Sequence, residues 1–172
     1  ASTAPNHVEL FPRHVGFFDK TRVVDMGSGH SHMLALTEKG EVFAWGNSAG
    51  GQGGNGSTLN ARYPRRVPAL DAADVVAVTA GAWHCAARTA TGALYMWGCG
   101  DVGQLGIGVN YKGANEAGAA AFARGGDSFD GALDVVLPQR LVEFGPSRRV
   151  ADVVCGGCHT LVLVCPRVDD DS

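Results

Sequence analysis

No stretch of this chain approaches the ~18 consecutive apolar residues that a membrane-spanning helix requires, so no helical anchor is expected in it. Lysine is scarce, at three residues against eleven arginines, and the formal net charge is −3. The basic excess of a dedicated nucleic-acid binder is missing, and direct nucleic-acid binding by this segment is not expected. The opening residues, Ala1 to His7, show neither a basic nor an apolar signal region, and they lack an initiator methionine. From this we expect no secretory leader, and a natural start other than Ala1. Cysteine numbers five, an odd count without the framework of a secreted domain, which points to a reduced setting inside the cell, cytoplasmic or nuclear. No phosphate-loop motif of the form Gly-x-x-x-x-Gly-Lys-Ser/Thr occurs.

Glycine is abundant instead, at 25 of 172 residues. That is roughly twice the usual share of about 7%. Helix interiors lose roughly 1 kcal/mol per glycine relative to alanine, so a helical bundle is disfavoured. A turn-rich β protein and a flexible chain remain, and the placement of the glycines separates them.

Val23–His32 aligns with Val75–His84 at an offset of 52 residues. The offset persists at Trp45/Trp97, Gly46/Gly98, Gln52/Gln104 and Gly54/Gly106, giving 13 identities in 34 ungapped positions. A third copy starts at Val150 and carries Gly156 and His159, displaced by 75 residues from the second. The closing element Pro64-Arg65-Arg66-Val67 recurs at Pro138–Leu141 and, earlier, at Pro12–Val15. The additional residues therefore lie in 109–137, a Gly-, Ala- and Asp-rich segment expected to be a long loop. Within each copy the period is two: strands are expected near 23–27, 33–36 and 41–45, with tight turns at 37–40 and 89–92. The Pro-x-x-Val element is expected as a fourth strand with proline at its start. Four short antiparallel strands per ~50 residues predict an all-β fold, a β-propeller of four-stranded antiparallel blades.

Gly-x-x-His, the hairpin glycine, aromatic-x-Trp-Gly, Gly-Gln-x-Gly and Pro-x-x-Val together resemble the regulator of chromosome condensation repeat. Gly103-Gln104-Leu105-Gly106 and Cys155-Gly156-Gly157-Cys158-His159 carry the likeness most closely, whereas Gly53, Cys85 and Arg88 depart from it. The resemblance covers roughly residues 12–164 and implies a propeller, typically of seven blades. The chain would then be a partial propeller. Residues 1–22 would be the end of a preceding blade and a linker, 23–67 one blade, and 75–141 a second blade with the 109–137 insertion. Residues 150–164 would be the first strands of a third repeat and 165–172 an acidic tail. The remaining blades, or another chain segment, would be expected beside them.

Cys155-Gly156-Gly157-Cys158-His159 also matches a haem-attachment pattern, and with Cys165 it offers a redox or zinc set. Yet Gly156 and His159 occupy repeat positions that Gly29/His32 and Gly81/His84 fill without a cysteine pair. The repeat accounts for them, so no cofactor or metal is expected. Two Gly-x-Gly-x-x-Gly runs, beginning at Gly51 and Gly98, follow strands but precede no helix, and turn glycines explain them better than dinucleotide binding. His32, His84 and His159 recur once per copy and are expected to be structural hydrogen-bonding groups. Trp45 and Trp97 are expected to pack between blades. No constellation suited to catalysis stands out, so the chain is not expected to be an enzyme.

In an up-and-down blade the Gly-x-x-His loops and the long connections share one face. Side chains there that break the repeat are the partner-binding candidates: Trp83, which replaces Ser31, with His30 and Asp101. The expected partner is a protein. The resemblance implies that it would be a small GTPase, the founding member being an exchange factor for Ran that docks on chromatin. It also allows an interaction domain within a larger ubiquitin ligase or signalling protein. The residues themselves favour a non-catalytic interaction scaffold.

Overall fold

The computed structural model describes residues 11, 12, 14–107, 134–141, 144 and 147–167. Ten strands are assigned: β1 (Val23–Ser28), β2 (His32–Thr37), β3 (Val42–Gly46), β4 (Ala61–Arg66), β5 (Val75–Ala80), β6 (His84–Thr89), β7 (Leu94–Gly98), β8 (Val135–Leu141), β9 (Arg148–Cys155) and β10 (Thr160–Pro166). Consecutive strands pair antiparallel into two four-stranded sheets, β1–β4 and β5–β8, and a two-stranded sheet of β9 and β10. These are two blades and the beginning of a third, a partial β-propeller.

The copies match in detail. Leu34 pairs with Ala44 in the first blade, as Ala86 does with Met96 in the second. The register slips once at Val23/Asp25 and once at the equivalent Val75/Ala77. Gly40 and Gly92 close the β2–β3 and β6–β7 turns at φ of 77° and 78°, a region that side chains with a Cβ resist.

The blades pack face to face. Leu34, Leu36, Val42 and Ala44 of the first meet Val75, Val78, Ala86 and Ala87 of the second in one apolar cluster. Each fully buried aliphatic side chain there contributes about 1.5–3 kcal/mol. What a neighbouring blade supplies is visible by comparing equivalent sites. Val67 and Trp97 are fully buried between the two blades, whereas Val15 is 44% exposed and Trp45 is half-buried. Met26, at the position of buried Val78, is 67% exposed.

Several sequence-based boundaries shift. Pro64 and Pro138 lie in the middle of β4 and β8, not at their starts. Both strands run along the outer side of their sheets, and the register with the inner neighbour breaks there (between Ala44 and Gly46, and between Met96 and Gly98). A missing N–H is tolerated at such a position. Residues 135–137 belong to β8 and so leave the expected loop, while 109–133 lie outside the described residues. The third repeat runs from 148 to 166, so Cys165 and Pro166 are strand rather than tail; 168–172 lie outside the described residues. Short 3-10 turns follow the closing elements at Gly16–Phe18 and Pro68–Leu70, again 52 residues apart.

Candidate functional site

Each Gly-x-x-His loop is a packing unit. The ring of His32 lies on the Cα of Gly29, and His84 and His159 do the same over Gly81 and Gly156, so a Cβ at any of these glycines would overlap an imidazole. At Gly29 and Gly81 it would also strike a carbonyl of the next blade, Gly81 O or Gly156 O. Backbone bonds run between these loops: His30 N–H donates to Ala82 O at 3.1 Å, and Ala82 N–H to Gly156 O at 3.3 Å.

The histidines face across the blade junctions. His84 Nε2 lies 2.9 Å from Thr160 Oγ1, and that hydroxyl donates to the Gln104 carbonyl at 2.8 Å. The hydroxyl proton is thereby committed, so His84 donates from Nε2. One junction earlier, His32 Nε2 lies 3.2 Å from Cys85 Sγ, which donates to the Gln52 carbonyl at 3.6 Å. The Trp97 indole N–H donates to the same Gln52 carbonyl at 3.0 Å. The glutamine side chains hold their own loops: Gln52 Oε1 accepts from Gly50 N–H and Gln104 Oε1 from Val102 N–H, at 2.9 and 3.0 Å.

Burial, helped by the neighbouring repeat histidine, lowers both pKa values to about 4 and keeps His32 and His84 neutral near pH 7. Burial, helped by Cys155, also holds the Cys85 thiol well above its ordinary range. A close cysteine–histidine pair is thus present, but in the wrong protonation states for a nucleophile and sealed from solvent. His32, His84 and Trp97 serve the blade junctions.

Asn47 N–H donates to Ser31 O and Cys99 N–H to Trp83 O, at 2.7 and 2.9 Å. The starts of the long connections therefore lie against the Gly-x-x-His loops, on one face. The β2–β3 and β6–β7 turns join the interblade links instead, through Glu38 N–H to Arg22 O and Ala90 N–H to Asp74 O.

On the loop face the structure brings two predicted residues together. The rings of His30 and Trp83 are 5.0 Å apart and inclined by 42°, one from each blade. Asp101 belongs to a different group. Its carboxylate, the Cys99 thiol and the Asp134 carboxylate offer ligand atoms within 4.8 Å of one another. Burial pushes Cys99 up to about 12, and burial with Asp101 nearby pushes Asp134 up to about 6. A protonated thiol beside carboxylates, one of them with its pKa raised by burial, is a weak donor set for a cation. Cys155, Cys158 and Cys165 form no comparable set among the described residues. Arg66 is committed to Glu41 at 2.9 Å and Asp71 at 2.8 Å, and holds the blade rim.

Sequence profiles of the regulator of chromosome condensation (RCC1) repeat match residues 39–88 and 91–163, and a second profile of that repeat matches 23–52 and 75–104. The chain belongs to the RCC1 repeat family. It is 32% identical over 157 residues to the ultraviolet-B receptor UVR8 of Arabidopsis thaliana, covering 91% of this chain and 30% of that protein. It is 32% identical over 139 residues to the E3 ubiquitin-protein ligase HERC2 of Homo sapiens, covering 81% of this chain and 2% of the ligase. The crystal structure of Prp20p from Saccharomyces cerevisiae, a protein characterised for binding Gsp1p and histones, superposes with a TM-score of 0.67 at 19% identity. That match spans 89% of this chain and 33% of Prp20p, and it establishes the fold alone. The chain thus spans less than a third of UVR8 and a small part of HERC2.

Within this RCC1 segment, two site features escaped sequence reasoning. Asp134 joins Cys99 and Asp101 only because β8 returns beside the β7 connection. The residue after the second and third repeat histidines (Cys85, Thr160) bridges two blades, although Met33, Cys85 and Thr160 share no obvious chemistry. The signal available was positional: the site immediately after a repeated histidine.

Proposed function

We propose that this RCC1 segment is a non-catalytic protein-interaction scaffold acting inside the cell, and that the loop face carries the docking site. The observation that carries this reading is the His30–Trp83 pair. It sets a large aromatic side chain across a blade junction on the face from which the long connections leave. His32, His84 and Trp97 are used in holding blades together, so residues that break the repeat are the better candidates to discriminate a partner. An aromatic anchored on a rigid scaffold is a typical centre of binding energy. The test compares proteins captured by the parent chain and by Trp83→Ala, identified by mass spectrometry. Selective loss of a defined set, with solubility unchanged, supports the docking site; identical captures refute it.

The likeness to Prp20p, which binds Gsp1p, favours a second reading in which the partner is a small GTPase of the Ran type and the full protein promotes nucleotide exchange. Release of labelled GDP from Ran by catalytic amounts of the protein would establish it, and release at the spontaneous rate would leave the scaffold reading. Membership of a larger ligase, suggested by the HERC2 likeness, would place catalysis outside these blades.

A further inference from the structure

The repeat accounts for Gly156 and His159 but not for the two cysteines beside them. Cys155 stands where the earlier copies have Ser28 and Ala80, and Cys158 where they have Ser31 and Trp83. Cys155, at the end of β9, is half-buried, whereas Cys158 is exposed on the loop face. That position is open in all three copies: Ser31 is exposed, and Trp83, with a sheet on either side, is half-buried. The backbone between the cysteines reverses direction. Gly156 N–H donates to His159 O at 2.9 Å, and Cys155 pairs with Thr160 at the base of the turn. Both intervening residues are glycine, and a Cβ on Gly157 would meet no atom within 4 Å. Rotation about such residues lets the two Cα atoms reach the separation of about 4.4–6.8 Å that a disulfide needs. Cys165 pairs with Arg149 at the far end of the β9–β10 hairpin, and Cys85 is held by His32 and the Gln52 carbonyl, so neither competes.

We propose that Cys155 and Cys158 are a reversible redox pair, and that their disulfide resets the contact between this loop and the Ala82–Trp83 loop of the second blade. The contact is the Ala82 N–H, which lies 3.3 Å from both the Gly156 and the Gly157 carbonyls, the two residues that the disulfide encloses. The two thiols have separate tasks. Cys158 is placed to meet an oxidant from solvent. Burial pushes the Cys155 thiol up to about 11, which suits it to resolve a bond already formed rather than to attack first. The oxidant is a low-molecular-weight disulfide such as oxidised glutathione. The Cys158 thiolate attacks one of its sulfurs, and a mixed disulfide forms as one glutathione thiolate leaves. Cys155 then gives up its proton and attacks the Cys158 sulfur; the Cys155–Cys158 bond forms and the second glutathione leaves. In sum two protein thiols lose two protons and two electrons, and one disulfide becomes two thiols. A transient disulfide of this kind is the form expected in a reducing compartment. The redox pair stands whether or not Trp83 docks a partner.

The test uses the whole chain, reduced, freed of reductant and equilibrated at neutral pH with mixtures of oxidised and reduced glutathione. The products are alkylated under denaturing conditions and mapped by fragmentation mass spectrometry. A disulfide joining Cys155 to Cys158 is expected, with the loss of two alkylated thiols and full reversal by reduced glutathione. Amide hydrogen exchange at Ala82 should change about threefold or more between the two forms. Cys155→Ser should trap the glutathione adduct on Cys158, Cys158→Ser should abolish the disulfide, and Cys165→Ser should leave it intact. If Cys155→Ser fails to fold, mapping of the parent chain and of Cys158→Ser still decides. No disulfide even in oxidised glutathione alone, or an adduct on Cys158 that never passes to Cys155, overturns the proposal. So does a bond to Cys85, Cys99, Cys165 or a second molecule in place of this one. A Cys155–Cys158 disulfide that leaves exchange at Ala82 unchanged also overturns it, because the contact between the loops would then be indifferent to oxidation.

Discussion

Acidification should loosen the blade junctions before it reaches the pH range of ordinary carboxylates. His32 and His84 are neutral in the folded chain with pKa values near 4, against 6.5 when unfolded. Between those values the unfolded state binds more protons, so the stability they confer is complete above about pH 6.5 and is lost as pH falls towards 4. A shift of that size corresponds to about 2 kcal/mol per histidine at pH 5, which is large against a total of about 5–15 kcal/mol. Asp134 acts in the opposite sense. Its raised pKa, near 6, means that folding is penalised at pH 7 and relieved on acidification, and its partial exposure limits that to about 1 kcal/mol or less. The net expectation is a loss of several kcal/mol between pH 7 and pH 5, measured by urea denaturation at fixed ionic strength. His84→Gln removes one titrating group while leaving an amide donor to reach Thr160, and should reduce the slope by about half. A parent chain as stable at pH 5 as at pH 7, or a His84→Gln chain with the parental slope, would refute the account of the junctions.

Two further outcomes follow from the packing. Trp97→Ala removes a fully buried indole and its bond to the Gln52 carbonyl, and should cost about 3–5 kcal/mol in chemical denaturation, whereas Trp45→Ala, at the half-buried equivalent, should cost clearly less. Gly81→Ala drives a methyl group into the His84 ring and the Gly156 carbonyl, and should lower stability by more than 2 kcal/mol; Gly157→Ala meets no atom within 4 Å and serves as the neutral control.

The blade architecture was legible because it depends on local chemistry repeated at a fixed offset: period-two strands, hairpin glycines and Trp-Gly strand ends. Pro64 misled because proline was assigned to the strand start by its missing donor alone. Its actual place depends on lying along the outer strand at a register break, which is a property of the whole sheet. Trp83 and His30 could be assigned to one face from connectivity, but their contact depends on how far one blade rotates against the next. Cys85 looked like a departure from the family pattern. In three dimensions its thiol does the work of the Thr160 hydroxyl, bridging a histidine and a carbonyl of the preceding blade. Asp101 was singled out for its loop position, whereas its neighbours are set by the distant Asp134.

The junction bonding has a polarity. One side of each blade presents the imidazole N–H and the glutamine carbonyl, and the facing side of the next presents the thiol or hydroxyl that bridges them. Such an interface is heterologous: its two surfaces differ, and neither is complementary to itself. Blades of this kind assemble head to tail through unlike faces, and a pairing of like faces across a two-fold axis would set two imidazole-and-carbonyl surfaces or two bridging surfaces against each other. Whether the series closes into a ring or continues as a helix is then decided by the rotation between successive blades.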